Sequence, residues 1–201
     1  MTSFFDTTAA RGTAYTYSVT ALDAAGNESD LSNAVTLTTP SVVTQVLGPS
    51  ADARVEEANP TTNLGADGRL KVEGGTDPDI ESYLRFRVTG ISGPLQSAKL
   101  RLWITEGTAN GPAVFTAADN TWAENAITWT NRPARALGPT DDKAALAIGT
   151  WVEYDVKPLM TGDGTYSFVL VTGSADAVTF IARESSDAVH RPELAVSYGN
   201  P

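Results

Sequence analysis

Over residues 51–197, hydrophobic and polar positions alternate in short runs with a period of two. That is the pattern of strands that bury one face. In residues 68–73, Leu70 and Val72 fall on one side, Arg69 and Lys71 on the other. In 81–88, Leu84, Phe86 and Val88 alternate with Tyr83, Arg85 and Arg87. In 97–104, Ala98, Leu100, Leu102 and Ile104 alternate with Lys99, Arg101 and Trp103. Further strands are expected over 150–156, 165–172, 178–183 and 192–198. Turn signals separate them, among them Ala66-Asp67-Gly68, Ser92-Gly93-Pro94 and Gly162-Asp163-Gly164. One long loop, 130–149, holds Pro133, Pro139 and Asp141-Asp142. No helical periodicity of any length interrupts the series. The pattern predicts an all-β chain: an antiparallel, jelly-roll-like β-sandwich with Leu70, Val72, Leu84, Phe86, Leu100, Leu102, Phe168, Leu170 and Phe180 inside.

Residues 1–40 read differently. Tyr15, Tyr17, Val19 and Ala21 alternate with Thr16, Ser18 and Thr20; a turn follows at 23–27 and a second strand over 33–38. The run from Gly12 to Ala21, with Ala25-Gly26-Asn27-Glu28-Ser29 and Ser32-Asn33-Ala34-Val35, resembles the C-terminal part of a fibronectin type III domain. The resemblance implies that Tyr15 is a corner tyrosine whose hydroxyl bonds back to the backbone. Two strands alone are marginal in water. Residues 1–40 are therefore expected to be the end of a neighbouring module. Residues 41–201 are expected to form the sandwich, with the boundary at Thr39-Pro40-Ser41.

Charge narrows the partners. The chain has 201 residues and a formal net charge of −10. That argues against nucleic acid, whose phosphates need a broad basic surface, and against anionic membranes. There is no cysteine, so disulfides, zinc–thiolate sites and thiol chemistry are excluded. One histidine, no phosphate-cradling glycine loop and no marked carboxylate pair leave no catalytic residue to name. Against this acidic background, the outward positions Lys71, Arg85, Arg87 and Arg101 stand out. If the three strands share a sheet, these cations with Tyr83 and Trp103 form a basic, partly aromatic face.

The longer segment resembles a bacterial module through Ala51-Asp52-Ala53-Arg54-Val55, Asn59-Pro60-Thr61-Thr62-Asn63-Leu64-Gly65, Ser82-Tyr83-Leu84-Arg85-Phe86 and Ala98-Lys99-Leu100-Arg101-Leu102-Trp103. The match continues with Asn120-Thr121-Trp122, the run Ile127 to Pro133, the run Gly149 to Val156, Ala182-Arg183-Glu184 and Arg191-Pro192-Glu193-Leu194. Together these look like the DNRLRE-type domain, grouped with the family 96 carbohydrate-binding modules. The resemblance implies a non-catalytic sandwich appended to secreted or cell-surface bacterial proteins, with alginate as a ligand class. Members often carry aspartate at the position of Arg87, so this chain's face is more basic.

The expected ligand is therefore an anionic polysaccharide, an alginate-like uronate polymer favoured, held by Lys71, Tyr83, Arg85, Arg87, Arg101, Trp103 and Arg183. Guanidinium forks pair with carboxylates, and exposed aromatic rings stack on sugar faces. His190 joins that face if the strand from Val178 lies beside it. Trp122 and Trp129 are expected to pin the loop between them. The module is expected to act as a monomer within a longer extracellular or cell-surface chain, with no required cofactor. Asp52, Asn63 and Asp155 offer the hard oxygens that a structural calcium takes, but no contiguous calcium loop is present. The alternative reading is a structural spacer or adhesin module without its own ligand.

Overall fold

The computed structural model describes residues 3–200. Residues 1–2 and 201, the outer ends of the two expected segments, lie outside the described residues. In chain order the strands are β1 (Ala14–Tyr17), β2 (Val35–Thr38), β3 (Ser41–Leu47), β4 (Ala51–Glu56), β5 (Arg69–Val72), β6 (Ile80–Val88) and β7 (Leu95–Glu106). They continue with β8 (Ala113–Thr116), β9 (Asp141–Asp142), β10 (Trp151–Asp155), β11 (Gly164–Val171), β12 (Val178–Ile181) and β13 (Glu193–Asn200). A 3-10 turn at Lys157–Leu159 is the one helical element among the described residues. All pairings between named strands are antiparallel.

Two sheets face each other. One runs β3-β13-β7-β12-β5, with β10 also paired to β7; the other runs β4-β6-β11-β8-β9. The first sheet contributes Leu70, Val72, Leu100, Leu102, Ile104, Tyr154, Phe180 and Leu194 to the core, and the second contributes Leu84, Phe86, Val88, Val114, Phe168 and Leu170. All nine residues expected inside are buried. Alternation fixes this, because a one-residue slip would turn each strand's apolar set to the wrong face.

The second sheet has a second core on its outer side. The chain between β8 and β9 folds back over it, and Trp122 and Ile127 pack with Ala51, Ala53, Val55, Tyr83 and Val169. This sheet is therefore covered on both faces. The first sheet keeps an open outer face.

The expectation that the strands of Leu70, Leu84 and Leu100 share a sheet does not hold. β5 and β7 lie in the open sheet, each beside β12, whereas β6 lies between β4 and β11 in the covered sheet. Parity assigns a residue to a side of its own strand but says nothing about which sheet that strand joins.

β1 and β2 form a separate two-stranded sheet. The Tyr15 hydroxyl accepts from the backbone N–H of Ala10 at 2.8 Å. Arg11 donates to the Gln96 side chain at 2.7 Å, reaching from this segment to β7. Phe4 and Phe5 are each 84% exposed, and Val19, Val35 and Leu37 are also exposed. The hairpin thus keeps an exposed apolar face.

Candidate functional site

The open face of the first sheet gathers three rings. Trp103 on β7 and Trp151 on β10 are directly cross-strand, so their side chains leave the sheet on the same side. Their centroids lie 5.6 Å apart, edge to face. His190, from the loop before β13, stacks on Trp103 at 3.9 Å and lies 5.9 Å from Trp151. Its Nδ1 lies 2.7 Å from an oxygen of Asp187, which fixes the ring's tilt. The guanidinium of Arg101 sits over the Trp151 ring at 4.7 Å. All four side chains are partly exposed. This cluster combines apolar ring surface with polar tips, the lining that sugar rings need.

The cations of this face are not free. Arg101 bonds Glu153 at 3.0 Å and Glu193 at 2.6 Å. Lys99 pairs with Asp155 at 3.1 Å and Lys71 with Glu73 at 2.7 Å. Cross-strand register explains the first three pairs: Glu153 and Glu193 both stand opposite Arg101, and Asp155 stands opposite Lys99. The strongly basic face expected from the sequence is therefore close to charge-balanced. The signal was available in the outward positions of 150–156 and 192–198, but only the pairing of β10 and β13 with β7 gives it meaning.

Of the seven expected site residues, Arg101 and Trp103 meet here, and Lys71 lies on the same sheet two strands away. The other four do not join them. Tyr83 points away from the main core as its parity requires, yet it is fully buried under the covering loop. Its hydroxyl donates to Glu81 at 2.8 Å, and a second contact of 2.9 Å reaches the Pro133 carbonyl. Burial, then the neighbouring Glu81 charge, raises its pKa far above the ordinary phenol value. Arg85 lies under the same loop, donating to the carbonyls of Trp122 and Asn120 and packing on the Trp122 ring at 5.0 Å. Arg87 is exposed on the covered sheet, away from the aromatic cluster. Arg183 follows β12 and is held by Glu124 and Glu184. Trp151, not among the seven, joins the aromatic cluster. It shares the outward parity of Glu153 and Asp155, and that parity was its only sequence signal.

Trp122 and Trp129 behave as loop anchors. Trp122 is buried and donates its indole N–H to Ser167 at 3.0 Å, and Trp129 stacks under Arg132 at 3.4 Å. Among the residues noted for their hard oxygens, Asp155 is taken by Lys99, and Asn63 uses its amide to hold the carbonyls of Glu124 and Ile127. Only Asp52 lies in a cluster of acids, with Glu124 and Glu184.

The chain matches no curated protein. The model of carbohydrate-binding module family 96 matches residues 43–198, which spans both sheets and the aromatic cluster. A sandwich with an open face of paired indoles and an imidazole fits that match, and the chain belongs to carbohydrate-binding module family 96, a family of non-catalytic modules.

Proposed function

We propose that this module binds an acidic polysaccharide, an alginate-like uronate polymer, across the open face of β7 and β10. The observation that carries the reading is the Trp103–Trp151–His190 cluster with Arg101 lying against it. Ring faces supply stacking, and Arg101 and Lys99 supply charge-assisted donors for carboxylates along the polymer. Exposed ion pairs contribute only about 0–1 kcal/mol each. The Arg101–Glu153 pair is of this exposed kind, so a sugar carboxylate can replace Glu153 on Arg101 at small cost. On this reading the module has no catalytic role and holds a larger secreted or cell-surface bacterial protein on its polysaccharide, as a monomeric unit of that chain.

Calorimetry and affinity electrophoresis against alginate and a neutral glucan test it. Trp151→Ala and Arg101→Ala are expected to weaken alginate binding at least tenfold. Arg87→Ala, on the opposite sheet, is expected to leave it unchanged. Equal affinity in all three variants would remove the site, and the absence of binding to any polysaccharide would favour the spacer reading.

A further inference from the structure

At one end of the sandwich, three carboxylates from three separate segments converge. Asp52 comes from β4, Glu124 from the covering loop and Glu184 from the segment after β12. One oxygen from each lies within 4.8 Å of the others. The donors around them can be followed one by one. Asp52 Oδ2 accepts from the backbone N–H of Arg183 at 2.8 Å. Glu124 Oε1 accepts from the backbone N–H of Asp52 at 2.8 Å and from Arg183 Nε at 3.2 Å. Arg183 Nη2 binds Glu124 Oε2 and, at 2.8 Å, Glu184 Oε1. Two oxygens remain, Asp52 Oδ1 and Glu184 Oε2; both are buried and neither has a partner. Asp52 as a whole is 1% exposed.

We infer that this junction is a binding site for a divalent hard cation of the calcium class, with Asp52 Oδ1 and Glu184 Oε2 as its anionic ligands beside Glu124. Three carboxylates face one guanidinium, so two negative charges stay unbalanced around Asp52, which is itself buried. An uncompensated buried carboxylate is strongly unfavourable. The donor set is all oxygen, which selects calcium or magnesium over the thiophilic and imidazole-preferring metals. The site is built rigidly. Gly65 packs so close that a Cβ there would lie 2.1 Å from the Glu124 carbonyl oxygen, and Asn63 holds that same carbonyl at 2.8 Å.

The competing occupant is a proton shared by Asp52 and Glu184. Without a cation, burial first and the Glu184 and Glu124 charges after it push the Asp52 carboxyl up to about 8. A proton cancels one of the two surplus charges, whereas a divalent ion cancels both.

The test uses the full chain, stripped with EDTA and shown to be metal-free by atomic absorption at pH 7.5. Calcium at a hundredfold excess over its Kd is expected to raise the thermal midpoint by about 5–10 °C. Glu184→Gln can satisfy Asp52 Oδ1 with an amide N–H. It is expected to fold without calcium and to show no calcium shift. If EDTA does not strip the wild type, about one calcium per chain, absent from the variant, is the equivalent result. A metal-free wild type whose midpoint ignores calcium overturns the inference in favour of the proton, and so does a shift of the same size in Glu184→Gln.

Discussion

Replacing Trp122 with alanine removes an indole that packs edge-on against Tyr83 at 6.2 Å, lies beneath Arg85 and donates to Ser167. The expected loss is about 3–5 kcal/mol of stability, the usual range for a large buried aromatic. Urea denaturation would register it as a lowered midpoint. Trp151→Ala removes a partly exposed ring, and its stability is expected to stay within about 1 kcal/mol of the wild type while polysaccharide affinity falls. If the two variants lost equal stability, Trp151 would be a packing residue and the aromatic cluster would lose its claim as a platform. The sequence places Trp122 at a loop and Trp151 at an outward strand position, but it does not show which sheet covers either ring. Their roles differ because one faces a covered sheet and the other an open one. Tyr83 carries the same lesson. Its outward parity was legible, but outward from one core meant inward to another.

The covering loop between β8 and β9 is the element that decides which face is free. Arg85 holds it through the Trp122 and Asn120 carbonyls, and Ser50 lies within 3.3 Å of the same guanidinium. Arg85→Ala is expected to cost about 1–3 kcal/mol and to speed amide exchange across residues 118–133. Alginate affinity should not change. A selective loss of affinity with unchanged exchange would return Arg85 to the binding site. The strands themselves were readable because β5, β6 and β7 carry a clear alternation and β11 ends in an apolar run, and all four fall within two residues of their expected bounds at each end. The sheet order was not readable. β6 and β7 are consecutive and joined by a short turn, which suggests pairing, yet the chain crosses from one sheet to the other there. The outcome is set by non-local contacts, β6 with β11 and β7 with β13, and local pattern does not encode these.

At the scale of the whole molecule, β1 and β2 form a sheet of their own and β3 pairs with β13, so the sandwich closes without the hairpin. A chain beginning at Ser41 is expected to unfold in a single cooperative transition with a midpoint near that of the full chain. Loss of cooperativity would make the hairpin part of the sandwich. Charge is the other property of the whole. A chain of net charge −10 repels a polyuronate at long range, so the proposed alginate binding requires a local exception to that field. The exception is muted, because Glu153 and Glu193 occupy the guanidinium that a sugar carboxylate would take. Substituting both by glutamine removes two negative charges and frees Arg101. An exposed pair is worth roughly 0.2–1 kcal/mol, and the partly buried Glu193 pair at least as much, so the double variant should bind alginate about fivefold more tightly at low salt. The gain should shrink as added salt shortens the Debye length to about 10 Å at 0.1 M and about 3 Å at 1 M. Affinity for a neutral glucan should not follow either change. If the double variant bound alginate no better than the wild type at low salt, Arg101 would not be reading carboxylates, and the open face would be a stacking surface for uncharged sugars.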